Sequence, residues 1–178
     1  MSGSRKSSPR AVRGSNGCTV APDALLKLRA EDEDDLAVVS AVVQDALISV
    51  KDLTYDRAAR SFTLVANRFC WEGKPGEANG ASFERTLCAV SFADVERVSY
   101  RGFRRRDDER ILSLLAIRLD NKPRGDKPRG DKSRAIDLEF SGGATLRLNV
   151  AAIRVHATDI GEPWPTPWQP DHDAGDPP

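Results

Sequence analysis

The sequence predicts an α+β domain in which one N-terminal helix packs on a bent antiparallel sheet of about six to eight strands. Three observations carry this reading. Leu36, Val39, Val43 and Leu47 recur at helical spacing behind an acidic run. Most of the remaining apolar residues alternate with a period of two, as half-buried strands do. The alternation also changes phase within strands, which marks bulges or kinks, and these are what a sheet needs to curl toward a pleckstrin-homology-like partial barrel.

Taken in order, residues 1–24 are rich in Ser, Gly, Arg and Pro and too poor in apolar side chains to offset the entropy of ordering, so a disordered basic tail is expected. The folded domain is expected over residues 25–165, beginning with a short strand around Leu25, Leu26 and Leu28. Glu31 to Asp35 then place negative charge on a first helical turn, with Asp32 as its N-cap. Val38 and Val42 broaden the apolar face, and a helix so rich in valine must be held by packing rather than by propensity.

From Ile48 the period becomes two, with a phase change at Lys51 and Asp52 that reads as a bulge. Residues 56–60 read as a turn. Phe62, Leu64 and Ala66 lie on one face of the next strand, and Val65, Phe69 and Trp71 on the other. After a Gly/Pro-rich connection over residues 73–80, Thr86, Cys88, Val90 and Phe92 alternate, and Val95, Val98 and Tyr100 form a further extended piece. Residues 111–119 are apolar on both faces, as in a central strand. Ile136, Leu138 and Phe140 lead to Ser141-Gly142-Gly143-Ala144, a hairpin turn, and Leu146, Leu148 and Val150 return from it. Ile153 and Val155 follow after a phase shift at Ala151 and Ala152. From Gly161 onward an irregular, Pro- and Asp-rich end is expected, with residues 166–178 as a tail and Trp164 and Trp168 available to pack back.

Two internal similarities stand out. Residues 122–126 and 127–131 repeat Lys-Pro-Arg-Gly-Asp, a loop expansion within an insert at residues 121–134 that is expected to be flexible. Residues 86–95 resemble residues 145–153: each is a strand, a two-residue kink and a new strand start, the pattern of two related β-halves.

Composition narrows the function. The 178 residues carry 27 basic and 27 acidic side chains, so no global charge draws the chain to nucleic acid or anionic membrane. No apolar run approaches the length of a membrane span, and residues 1–20 lack the apolar core of a secretory signal. The three cysteines (Cys18, Cys70 and Cys88) have no paired spacing, which argues against a disulfide framework and a zinc site and points to a reducing compartment. Cys70 and Cys88 flank the 73–80 connection, which would bring them near each other in a hairpin. His156 and His172 have no ligand or triad partner at motif spacing, and no phosphate loop or nucleophile elbow occurs. No catalytic residue, metal ligand or cofactor site is assigned.

The strongest candidate site is Asn67-Arg68-Phe69-Cys70-Trp71-Glu72. A structural role has the aromatics filling the core while Arg68 pairs with a carboxylate. A binding role has Asn67, Arg68 and Glu72 as an exposed patch with Trp71 at its rim, since Arg and Trp concentrate interface energy. Arg104, Arg105 and Arg106, within the basic segment 101–110, form an alternative phosphate or nucleic-acid contact, diluted by Asp107, Asp108 and Glu109.

The combination of Ala30-Glu31-Asp32-Glu33, Gln44-Asp45-Ala46, Asp52-Leu53-Thr54-Tyr55, Asn67-Arg68-Phe69 with Trp71-Glu72, Leu112 to Ile117, and Asp159-Ile160-Gly161 with Pro163-Trp164 resembles a family of small alphaproteobacterial proteins, domain-of-unknown-function family 2948. The resemblance spans residues 25–165. It implies a cytoplasmic bacterial protein and transfers no catalytic or binding residues. The resulting expectation is a non-catalytic domain that binds or scaffolds a protein partner. The alternatives are an enzyme with an unrecognised site, which would need a deep pocket of convergent polar groups, and the arginine contact at residues 101–110.

Overall fold

The computed structural model describes residues 25–71, 83–120 and 134–167. The expected tail 1–24, nearly all of the insert 121–134, nearly all of the tail 166–178, and with them Cys18, Glu72, Trp168 and His172, lie outside the described residues.

A strand β1 (Lys27–Ala30) precedes the helix α1 (Glu33–Val42). Asp32 is its N-cap, with Oδ1 accepting from the Asp35 N–H at 2.8 Å. The helix is shorter than the apolar spacing predicts. It stops at Val42, and Leu47 opens the next strand instead of continuing the helical face. Leu36, Val39 and Val43 are buried, but Val38 is exposed, so the apolar stripe is narrower than expected.

The strands that follow are β2 (Leu47–Asp56), β3 (Ser61–Phe69), β4 (Phe83–Phe92), β5 (Val95–Arg101), β6 (Ile111–Asp120), β7 (Arg134–Phe140), β8 (Thr145–Val150), β9 (Val155–Asp159) and β10 (Trp164–Thr166). All pairings between them are antiparallel. They form one ten-stranded sheet in the order β1-β9-β4-β3-β2-β6-β7-β8-β5, with β10 beside β4. The described domain is therefore mainly β with one helix. It has more strands than the six to eight expected, because β1 and β10 are short pieces at the margins. Weak periodicity hid β10 entirely; its Pro165 is tolerated because β10 pairs with β4 alone. The sheet is open, ending at β1 and β5 rather than closing.

Register shifts interrupt β2, β5 and β6, the first at the expected phase change before Leu53. In β6 the irregularity leaves the Ile117 N–H to Ser40 Oγ of α1 at 2.8 Å, so the one hydroxyl in the helix's apolar run satisfies a main-chain donor. The inward residues of both ends of the sheet, from Phe62, Leu64 and Val90 to Leu138, Leu146 and Leu148, join Leu36, Val39 and Val43 in a single core.

The strand order has an internal two-fold pattern. Four strands, β2 to β5, and four more, β6 to β9, each form a three-strand meander whose fourth strand crosses to the other meander. Thus β5 pairs with β8 and β9 with β4, while β2 and β6 meet in the middle. The inward–outward burial of β2 matches that of β6 through their first nine positions. At the crossing the symmetry reaches individual bonds: Ala93 N donates to Arg154 O at 2.9 Å and Ala151 N to Asp94 O at 3.1 Å. The Arg154 guanidinium also pairs with the Asp94 carboxylate at 3.1 Å. The kinks that resemble each other in sequence are the two arms of this crossing.

Candidate functional site

Strand parity divides the candidate cluster between two faces. Phe62, Leu64 and Ala66 point inward from β3, and Arg68, two residues on, must follow them. It is fully buried. Its partner is Asp159, which follows Val155 and Ala157 on the inward side of β9 and is 6% exposed. The two meet as a fork: Arg68 Nε to Asp159 Oδ1 at 2.8 Å and Nη2 to Oδ2 at 2.7 Å. Arg68 Nη1 also donates to Phe69 O at 3.2 Å, and the Leu26 N–H donates to Asp159 Oδ2 at 3.2 Å. Thr86, opposite Arg68 in the ladder, is buried and donates to Gly161 O at 2.9 Å. This cluster ties β3, β9 and the entry to β1 together. A buried pair of this kind fixes arrangement more than it adds stability.

Cys88 lies opposite Asp159 and is buried. Burial first, and then the Asp159 charge, push its thiol from an ordinary 9.0 up to about 12. The β3–β4 hairpin does form, but its register sets Cys88 opposite Ala66, while the Cys70 N–H bonds to Glu84 O at 2.9 Å, so the two cysteines are not neighbours. Thiol labelling near pH 8 should leave Cys88 unmodified until the protein unfolds; its rapid native labelling would contradict the burial described. The linked effect on stability has a definite sign. Below pH 9 the thiol is protonated in both states and contributes no pH dependence. Between pH 9 and about 12 it ionises only when unfolded, so stability falls as pH rises through that window.

The outward face of β3 behaves differently. Phe69 is buried there by neighbours on the same face: Trp71 at 4.5 Å and Phe83 at 5.5 Å between ring centroids, with the Arg85 guanidinium 5.9 Å from the Phe69 ring centroid. Arg85 Nη1 donates to Asn67 O at 3.2 Å, and Asn67 Oδ1 is buried without a hydrogen-bond partner. Trp71 remains 37% exposed. Register then aligns Leu47, Asn67 and Leu87 across β2, β3 and β4. The Ile160 N–H bonds to Leu87 O at 2.9 Å and the Asp159 N–H to Leu26 O at 3.0 Å, which continues the row through Ile160 to Leu25. Leu47, Leu87, Ile160 and Leu25 are 39%, 38%, 54% and 47% exposed. At about 4.8 Å between neighbouring chains the five positions run roughly 20 Å, four of them apolar, with Asn67 standing between Leu47 and Leu87. Trp164, opposite Arg85, lies beside this row.

The structure thus brings Asn67 and Trp71 to one face and withdraws Arg68 into the interior, where it pairs with a carboxylate as the structural role has it, and not onto the exposed patch of the binding role; Glu72 lies outside the described residues. It also corrects the assignment of the aromatic residues to the core, since Phe69 and Trp71 pack on the outer face. In sequence Leu25 reads as part of a short apolar strand and Leu47 as part of the helical face, and Leu87 and Ile160 carry no site assignment. The available signal was phase: Leu87 alternates against Thr86, Cys88 and Val90.

Arg104, Arg105 and Arg106 are exposed in the segment after β5. Phe103 anchors that segment against Tyr100 and Phe140, at 5.5 and 6.0 Å between centroids. Asp107 accepts from the Arg104 N–H at 3.1 Å, and Arg110 donates to Gly102 O at 2.9 Å, so acids and main chain are interleaved with the arginines. Burial raises the Tyr100 phenol's pKa, opposed by the nearby Arg105 charge. The hollow beside Arg106 and Arg110 is open and shares its lining with Asp107, Asp108 and Glu109. Among the described residues no three His, Cys, Asp or Glu side chains converge to hold a metal ion, and no helix is long and apolar enough to cross a membrane.

No curated protein and no solved structure matches the chain. A family model matches residues 26–172, which cover both halves of the sheet, the buried Arg68–Asp159 pair and the exposed row except Leu25. The chain belongs to the family described as protein of unknown function (DUF2948).

Proposed function

We propose that this is a non-catalytic protein-binding domain of a cytoplasmic bacterial protein, and that its contact face is the outer side of β2, β3, β4 and β9. The observation that carries the reading is the row Leu47, Leu87, Ile160 and Leu25, four large apolar side chains exposed in line, with Trp71 and Trp164 beside them. Large apolar side chains exposed together on one face mark interaction sites, and tryptophan and arginine concentrate binding energy there. Asn67 and Trp71 thereby keep the role expected from sequence, while Arg68 acts beneath the face by fixing β3 against β9. The pleckstrin-homology-like partial barrel remains part of this proposal, supported by the irregularities in β2, β5 and β6 that bend the sheet.

The test is affinity capture with the full chain. Leu87→Glu should leave the thermal melt nearly unchanged, because the side chain is already partly in water, and should weaken capture of the partner at least about tenfold. Glu139→Ala, on the outer face of β7, should leave both the melt and the capture nearly unchanged. Capture that survives Leu87→Glu undiminished would remove this face as the contact surface.

A further inference from the structure

The two-fold pattern allows the outer faces of the two meanders to be compared directly. On β6, β7 and β8 the outer charges neutralise one another: Arg147 pairs with Asp120 and Asp137, and Arg118 with Glu139 at 3.2 Å. Counted from the crossing, where Phe92 and Val150 hold equivalent places, the facing Asp137 and Arg147 of β7 and β8 correspond to Val65 and Ala89 on β3 and β4, neither of them charged.

Among the described residues, the outward positions of β1, β9, β4 and β3 carry no carboxylate. They are Lys27 and Arg29; His156 and Thr158; Phe83, Arg85, Leu87, Ala89 and Ser91; and Ser61, Thr63, Val65, Asn67 and Phe69. Arg29 is paired with Glu31. Lys27 and Arg85 lie on opposite sides of the apolar row, one beside Thr158 and the other beside Phe69. Along β1, β9, β4 and β3 the outward formal charges are thus all positive, while the nearest acids lie at the margins, Asp52 and Asp56 on β2 and Glu162 after Ile160; the part of the face around Leu87, Ile160 and Leu25 complements a ligand that is both apolar and anionic. Two copies of the same face would oppose cation to cation, so the face does not suit a second copy of this chain.

We infer that this face takes a polypeptide segment that combines large apolar side chains with aspartate or glutamate. The inference rests on the protein-binding reading above and adds the chemistry of the partner. The apolar side chains would cover Leu47, Leu87, Ile160 and Leu25, and the carboxylates would reach Lys27 and Arg85. A higher salt concentration would weaken such a complex without abolishing it, since only part of the contact is ionic.

The experiment is selection of a displayed random-peptide library on the full chain, followed by binding titrations of the enriched peptides. Enriched sequences should pair two or more large apolar residues with an excess of Asp and Glu. Their affinity should fall at least about tenfold on Leu87→Glu. A Lys27→Glu, Arg85→Glu variant that melts like the parent should shift selection toward Lys- and Arg-bearing peptides. Enriched peptides that depend on Leu87 but show no acidic bias would overturn the chemistry proposed here while leaving the protein-binding reading intact. Failure to enrich any Leu87-dependent peptide would overturn both. Binding of single-stranded RNA or of phosphatidylglycerol vesicles that Leu87→Glu abolishes would assign the face to a different class of partner, and would likewise overturn both.

Discussion

Replacing Arg68 by alanine should destabilise the domain by about 3–5 kcal/mol in urea unfolding, because it leaves the Asp159 carboxylate buried without its counter-ion. The fork geometry makes the cost large: both Asp159 oxygens accept from Arg68, and one also holds the Leu26 N–H, so no water-exposed lone pair takes over. The same pair should be nearly dispensable when removed as a unit. Arg68→Met combined with Asp159→Leu should return stability to within about 1–2 kcal/mol of the parent, the remainder being the orphaned Leu26 donor. A single Arg68→Ala variant that unfolds at the parental midpoint would show that the carboxylate is not buried against it. Trp71→Ala, in contrast, removes a side chain already one-third exposed and should cost clearly less than Arg68→Ala.

The second large effect is expected at Phe92. It is 1% exposed, packs against Phe62 at 6.3 Å between centroids, and pairs with Phe62 on one side and Val155 on the other. Phe92→Ala should cost about 3–5 kcal/mol, as emptying a packed aromatic site does. It also stands immediately before the crossing at Ala93 and Asp94, so the surrounding backbone is held on both sides and cannot collapse into the space. Equilibrium unfolding should show a lower midpoint with an unchanged denaturant slope. A loss below about 1 kcal/mol would mean that the site relaxes, contrary to the two-sided pairing.

The features legible in the sequence were the local ones. Asp32 as a cap, the phase change before Leu53 and the glycine turn at Gly142 and Gly143 each depend on a few adjacent residues whose backbone preferences decide the outcome. Gly142 and Gly143 both take positive φ, near +70°, which other residues resist. Pairing was not legible, because alternation says that a residue faces the core without saying which strand lies beside it. The partner of Arg68 is 91 positions away, and no local pattern announces Asp159. Of the roles weighed for the cluster, the pairing of Arg68 with a carboxylate matches the structure and the placing of Phe69 and Trp71 in the core does not. Parity placed Arg68 and Trp71 on opposite faces, yet only the completed sheet shows which of those faces is inside. Leu47 was assigned to the helix for the same reason: its spacing fits either element until β3 and β6 pair with it.

The crossed strands also impose an order on synthesis. When β8 leaves the ribosome its edge partner β5 has already been made, so the second meander can close at once. The first cannot, because β4 waits for β9, some 63 residues later in the chain, a delay on the order of 3–13 s at typical elongation rates. Throughout that interval β4 presents unpaired main-chain groups along one edge, and Asp159, which pairs with Arg68 in the folded domain, has not yet been made. The nascent chain is then open to wrong strand pairing and to chaperone capture. A message truncated before residue 155 would thus yield a product arrested in that exposed state, and the arrival of five residues, Val155–Asp159, is the event that ends it.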